Sequence, residues 1–287
     1  MNTDVLSTRQ VATLLGVGEA TVKRWADAGE IDCFRTPGGH RKFRLRDVIG
    51  FVQKRQFQPS GVLPDGVPPG AEVPGEVAIE HFKAAALRGS AAPLVAQLSA
   101  MRLHGYDLAT LFDEVVAPAL HRIGVDWEKR RISIADEHVA SQAILDAIAR
   151  AQPLAEPPGE PVRPDRGTAI VAAVAGEQHD IAARMAACLL RARGFEVLAP
   201  LAATPAHDLA DLVLRSRASL VVLSSTVEKG IEEQVRMAVA AAEQTGGRVV
   251  VGGPAMLKAT LPPEARLLSS LRQLDVEAES AGRRRAR

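Results

Sequence analysis

Four short strand-like runs in the second half of the chain, most of them apolar, leave few folds open: Thr168 to Ala175, Glu196 to Leu198, Leu220 to Ser224 and Val249 to Val251. A helix-period segment, Ile181 to Arg193, separates the first two. Strands that are apolar throughout are buried on both faces, as parallel strands covered by helices are. Alternation of such strands with helices winds into an open α/β sheet, Rossmann-like or flavodoxin-like. Sheets of this kind take their ligands outside the carboxyl ends of their strands. Gly176-Glu177-Gln178-His179-Asp180-Ile181 follows the first run at that edge, Ser224-Ser225-Thr226 ends the third and Gly252-Gly253 ends the fourth. Beyond Gly253 no clear strand is evident. Glu264 to Leu274, after Pro262-Pro263, has leucines at 267, 268 and 271 in helical spacing, so the sheet is expected to lack its last strand.

With 287 residues, two or three domains are expected. Apolar content of 47% and charge of 24% are those of globular proteins. The two cysteines, Cys33 and Cys188, fall in different segments and exclude a disulfide framework or a zinc finger. The first residues are polar and no apolar run reaches membrane length, so a cytoplasmic protein without membrane partners is expected.

The first 58 residues carry a second signal. Ser7-Thr8-Arg9-Gln10 is a capping box ahead of Val11, Leu14 and Leu15, and a turn at Gly16-Val17-Gly18 leads to a helix from Glu19 to Ala28. Val22 and Trp25 face inward on that helix, and Thr21, Lys23 and Arg24 face outward. Arg35-Thr36-Pro37-Gly38-Gly39-His40-Arg41-Lys42-Phe43-Arg44 is a hairpin with glycines at its tip, followed by a helix from Leu45 to Arg55. Between Arg35 and Arg55 seven Lys/Arg stand against one acid, Asp47, a balance suited to the phosphates of double-stranded DNA. Trp25 and Phe43 read as core. This winged helix-turn-helix pattern resembles the MerR group of transcription regulators. Thr21, Lys23, Arg24, Arg35, His40, Arg41, Lys42 and Arg44 are its expected DNA-binding residues, with Lys23 and Arg24 best placed for base edges.

Residues 59–75, rich in Pro and Gly, read as a semi-flexible linker that lets head and sensor reorient. Residues 76–158 turn helical, with segments Val77 to Leu87, Ala92 to His104, Tyr106 to Ile123 and Ile134 to Ala151 making a four-helix bundle. Residues 159–275 form the α/β domain. Residues 276–287, ending in Arg283 to Arg287, read as a basic tail, disordered or an auxiliary DNA contact.

A lone histidine at a strand end is ordinary loop polarity; three elements in order say more. Glu177-x-His179, then Ser224-x-Thr226, then Gly252-Gly253 resemble the cobalamin-binding domain of methionine synthase and the methylmalonyl mutases. The resemblance implies His179 as the lower axial ligand of cobalt and Glu177 as holder of the other ring nitrogen. It further implies that Ser224 and Thr226 hydrogen-bond the displaced nucleotide tail, and that the two glycines admit it closely. Ala182 departs from the pattern, standing where the family has glycine. Trp127, nine residues and Glu137-His138 resemble the CarH-type light-responsive repressors, in which the helical bundle covers adenosylcobalamin. By that resemblance Trp127 packs on the adenosyl group, Ile134 lines its pocket, and Glu137 and His138 hydrogen-bond the nucleoside. Where that family often has a histidine after the tryptophan this chain has Glu128, which implies a light state without a second imidazole. The whole implies a regulator rather than an enzyme: a repressor that oligomerises in the dark as dimer or tetramer, binds its operator and releases it on photolysis. Two other readings stand beside it, a MerR-like repressor that responds to a protein antagonist instead of cobalamin, and a corrinoid methyl-carrier. The second would need no DNA-binding head.

Overall fold

The computed structural model describes residues 5–57, 67, 71–156, 162–177, 179–201 and 204–282. Most of the Pro/Gly segment, Gln178 and Arg283 to Arg287 lie outside the described residues. The chain divides into two compact units, 1–161 and 162–287.

The first unit opens with β1 (Val5–Ser7), α1 (Thr8–Leu15), α2 (Glu19–Asp27), β2 (Phe34–Arg35), β3 (Arg41–Arg44) and α3 (Leu45–Arg55). Ser7 caps α1: its hydroxyl accepts from the Gln10 N–H at 3.3 Å, while Gln10 Oε1 accepts from the Ser7 N–H at 2.8 Å. Gly16, at φ 70°, ends the helix in the left-handed conformation that a side chain would strain. The strands form an antiparallel sheet in the order β1-β3-β2, with Leu6 opposite Phe43 and Phe34 opposite Lys42. Phe43 is fully buried, and the Trp25 ring lies 4.7 Å from that of Phe51 and 5.9 Å from that of Phe57. An aromatic cluster of this kind is the core of a domain too small for a large aliphatic one.

The bundle follows: α4 (Glu76–Leu87), α5 (Ala91–Leu103), α6 (Leu108–Leu111), α7 (Ala117–Glu128) and α8 (Ile134–Ala155). A π-helical turn, Phe112–Val116, joins α6 to α7. Pro118 follows two residues later and has no N–H to offer the Glu114 carbonyl, which accounts for the wider turn. Asp107 and Ser133 cap α6 and α8 with side-chain oxygens.

At two described positions the Pro/Gly segment meets the bundle. Val67 and Ala71 are buried against Ala96 and Ala100 of α5. The buried amide of Gln97 donates to the carbonyls of Ala71 (3.3 Å) and Ala78 (2.8 Å), and its oxygen lies 2.8 Å from His81 Nδ1. In the same unit α3 packs against α5 and α8, and Arg46 of α3 pairs with Glu156 just past α8. Val67 and Ala71 thus make a contact with α5 that the composition around them hides.

The second unit contains β4 (Thr168–Ala173), α9 (Ile181–Ala192), β5 (Glu196–Leu201), α10 (Ala206–Ser216), β6 (Leu220–Ser224), α11 (Ile231–Thr245), β7 (Arg248–Gly252), β8 (Ala265–Leu268) and α12 (Leu271–Gly282). All pairings are parallel, in the flavodoxin-like order β5-β4-β6-β7-β8. Leu209 and Val213 of α10 and Ile231 and Val235 of α11 pack on one face; Ala186 and Leu190 of α9 and Leu274 and Ala278 of α12 pack on the other.

Two expectations are corrected here. The sheet is not short: residues 265–268 are a fifth strand, with Val251 opposite Leu267, and not the start of a helix. This strand is only four residues long and buries just Ala265 and Leu268, a spacing that local periodicity cannot tell from a helix turn; backbone pairing with β7 decides it. Residues 276–282 belong to α12 rather than to a tail, and Glu277 is buried between Arg248 and Arg266, with which it pairs. Among the described residues no helix is long and apolar enough to cross a membrane.

Candidate functional site

In the order β5-β4-β6 the chain reverses direction of winding between β4 and β6, so their following loops diverge and leave a crevice. Val174 extends the β4 ladder by donating to Ser224 O at 3.0 Å. The chain then turns: Gly176 takes φ +91°, and the Glu177 N–H donates back to Val174 O at 2.9 Å. This turn buries the Glu177 side chain, which is 1% exposed.

The Glu177 carboxylate ties the two loops together. Its Oε1 accepts from the His179 N–H at 2.8 Å and lies 3.0 Å from His179 Nδ1. Its Oε2 accepts from the Thr226 N–H at 2.6 Å and the Thr226 hydroxyl at 2.5 Å. Burial pushes this carboxyl up, but the bonds from the Thr226 hydroxyl, the His179 and Thr226 backbone and the His179 ring outweigh it and hold the group below its ordinary value. A carboxylate at Nδ1 assigns the ring proton there. In the tautomer protonated there, the free lone pair is on Nε2 of an imidazole whose side chain is 65% exposed.

Around this ring the other predicted residues take distinct places. Ser224 Oγ is buried and finds no partner among the described residues. Thr226, by contrast, spends its hydroxyl on Glu177 and not on an outside group. Gly252 and Gly253 end β7; Gly253 has φ +105°, and a Cβ there would lie 2.4 Å from Ser225 O. That position therefore requires glycine. Ala182 falls inside α9, exposed, where a methyl group meets no obstacle. An orphaned hydroxyl, a side-chain-free strand end and a neutral nitrogen donor on a carboxylate are a donor set that fits a cobalt corrinoid with a nucleotide tail.

In the first unit Trp127 ends α7 with 44% of its surface exposed, and Ile134 opens α8 at 57%. Glu137 is half-buried, 2.6 Å from His138 Nδ1 through one oxygen and accepting from Ser141 Oγ at 2.6 Å through the other. The His138 side chain is 71% exposed, and Glu128 is exposed as well.

The winged head presents a cleft of about 480 Å³ between α1, α2 and the β2–β3 turn, lined among others by Arg9, Lys23, His40, Arg41 and Lys42. Lys23 and Arg24 are exposed on α2, and Thr21 is half-buried. The turn is closed by the Thr36 N–H donating to His40 O (2.9 Å) and the Gly39 N–H to Thr36 O (2.8 Å). Arg35 donates to Gly39 O at 3.3 Å. Among the sequence candidates, Arg41 pairs with Asp27, and Arg44 sits 5.5 Å over the Phe34 ring and 4.0 Å from Asp47. Arg9 was not among the sequence candidates; it sits within a capping box, which signals helix start and hides a surface role.

Known proteins resemble these parts of the chain. Residues 5–56 match a helix-turn-helix domain, and residues 78–152 and 167–264 match two B12 binding domain families. The HTH-type transcriptional repressor CarH of Myxococcus xanthus is 29% identical over 247 residues, 77% of this chain and 79% of that protein. The transcriptional repressor DcmR of Methylorubrum extorquens is 39% identical over 54 residues, 18% of this chain and 20% of its own. The monomethylamine corrinoid protein of Methanosarcina barkeri superposes with a TM-score of 0.56 at 15% identity, covering 69% of this chain and 95% of its own, a likeness of fold. With a helix-turn-helix head followed by two B12-binding segments, the chain matches a CarH-type repressor.

Proposed function

We propose that this protein is a light-responsive, MerR-like transcriptional repressor that binds adenosylcobalamin in the dark, assembles as a dimer or tetramer on operator DNA, and releases it in light. The observation that carries the reading is the His179 imidazole, held through Nδ1 by a buried carboxylate at the crevice of a B12-binding fold, in a chain that begins with a DNA-binding head.

His179 Nε2 would hold the cobalt, and Glu177 would fix the tautomer that makes this possible. Ser224 Oγ would take the hydrogen bond it lacks from the nucleotide tail, with Gly252 and Gly253 admitting that tail to the backbone. Trp127 and Ile134 offer the aromatic plane and aliphatic wall that an adenosyl group needs, and Glu137 and His138 its polar contacts. When bound, adenosylcobalamin supplies a cobalt–carbon bond that light breaks, which is the cofactor's own chemistry. The contribution of these residues is a difference in affinity: the state in which they hold the adenosyl group is stabilised in darkness and loses that stabilisation in light. Assembly raises operator affinity by bringing several heads to one DNA without any new contact.

Sedimentation of the full chain with adenosylcobalamin, dark against illuminated, tests this. The expected result is a larger species in the dark that shrinks on illumination, and loss of both pigment and assembly in His179→Ala. A His179→Ala variant that retains cobalamin as tightly as its parent overturns the cofactor reading. An oligomer indifferent to light with the pigment bound overturns the signalling reading. A colourless chain that still binds operator DNA favours a regulator controlled by a protein antagonist.

A further inference from the structure

Resting on the cobalamin reading, we infer that Gln234, outside all the motif positions, is a positioning residue that sets the reach of the His179 imidazole.

The β4 ladder stops at Val174, whose N–H goes to Ser224 O. The next amide, that of Ala175, lies past the end of β4 and outside its strand ladder. A backbone N–H at that depth requires a partner. Gln234 provides it: its Oε1 accepts from the Ala175 N–H at 2.7 Å. The same side chain, 1% exposed, donates through Nε2 to Thr204 O at 3.3 Å, in the loop after β5. Gln234 itself stands in the first turn and a half of α11, the helix that follows the Thr226 loop. One amide therefore joins the loops that follow β4, β5 and β6, at the edge where the crevice opens.

Gly230, the residue before α11, has φ +83°, and a Cβ built there would lie at ordinary contact distance, 3.7 Å, from Ala175 O. Ala175 lies two residues before Glu177 and four before His179. Glu177 and Thr226 decide which way the ring faces; Gln234 decides how far the whole turn stands off the sheet. A turn pinned by its amide has one height, and an axial bond tolerates displacements of only a few tenths of an ångström. An apolar residue of the same size leaves the Ala175 N–H and Thr204 C=O unpaired while filling the same space, so the loop lifts to find water.

The test uses the full chain and two variants. Gln234→Leu removes both hydrogen bonds; Gln234→Glu keeps an acceptor for Ala175 and loses the donor to Thr204. Amide hydrogen exchange without cofactor reads the tether directly: Ala175 protection should fall at least tenfold in Gln234→Leu and be largely kept in Gln234→Glu. With cob(II)alamin bound, the nitrogen superhyperfine splitting in protein labelled with 15N histidine reports the imidazole–cobalt bond. It should broaden or vanish in a fraction of Gln234→Leu molecules, with cobalamin binding weakened about tenfold, as for other partners that orient a metal ligand. A merely structural residue would lower the melting temperature and leave the splitting intact, and that result overturns the inference. So does unchanged Ala175 exchange in Gln234→Leu. If Gln234→Leu does not fold, Gln234→Glu decides by the same two readouts: full loss of Ala175 protection counts against the tether. Should the parent protein itself show no 15N splitting, it is the axial role of His179 that fails, a separate outcome.

Discussion

Replacing Glu177 with glutamine changes one atom and tests the whole crevice. The carboxylate receives the His179 N–H and ring on one oxygen and the Thr226 N–H and hydroxyl on the other, at 2.5 to 3.0 Å. A glutamine of the same shape keeps one acceptor oxygen, and its NH₂ then faces two donors on whichever side it occupies. Hydrogen bonds to a charged acceptor contribute about 1.5–3 kcal/mol each. Two are lost, but the desolvation cost of a buried charge, several kcal/mol in its own right, disappears with them. The two effects leave a net destabilisation of about 2 kcal/mol, which for a unit of this size corresponds to a melting point lower by roughly 6–8 °C. Cobalamin binding should weaken by about 10–100-fold, because the imidazole loses the group that fixes its tautomer and direction. Thermal melting followed by circular dichroism and titration followed by corrin absorbance measure the two effects. A variant that melts with its parent and binds cobalamin equally well would falsify the claim that this carboxylate holds the ligand.

Other perturbations separate the remaining parts. Gly253→Ala places a methyl group 2.4 Å from Ser225 O at a φ that side chains avoid, so it should destabilise the second unit by about 1–3 kcal/mol; unchanged melting would refute that geometry. Lys23→Ala and Arg9→Ala should each weaken duplex binding across sequences and lower the slope of log affinity against log salt by about 1, read by fluorescence anisotropy. A shift confined to one base pair would instead make the residue a base reader. In the bundle, Glu76 is held low by its hydrogen bond from Arg122, Asp126 by those from Lys83 and Arg131, and Asp136 by the Ser133 backbone and hydroxyl. Carboxyls whose folded values lie below their unfolded ones, near 4, add stability that is complete above that pH and disappears as pH falls through the folded values. Helical melting temperature should thus be level from pH 7 to about 5 and fall below about 4; a bundle equally stable at pH 2 contradicts these pairings.

Much of the crevice was legible because its residues stand at the ends of long apolar strands, where a turn, a histidine and a glycine pair cannot be mistaken for core. The capping boxes at Ser7 and Ser133 likewise fixed where α1 and α8 begin. What stayed hidden depends on partners distant in sequence. Residues 265–268 become a strand only because β7 offers a free edge, and Leu267 within them faces outward. Val67 and Ala71 sit among prolines that suggest open chain, yet α5 supplies small residues for them to pack on. Gln234 looked like one more polar residue on an amphipathic helix; only the sheet's order brings it to Ala175. Thr226 shows the converse: its place after β6 is plain in the sequence, but that its hydroxyl donates to Glu177 is not.

The docking of Val67 and Ala71, with Arg46 fastened to Glu156, has a geometric outcome for gene control. A reader on a loose cord can accept operator repeats at many separations; a reader bolted to its bundle cannot. In an assembly of this chain the distance and phase between the α2 helices would be inherited from how the bundles meet. Adding half a helical turn of DNA between two repeats should then abolish joint occupancy, while a full turn is a different and less costly offence.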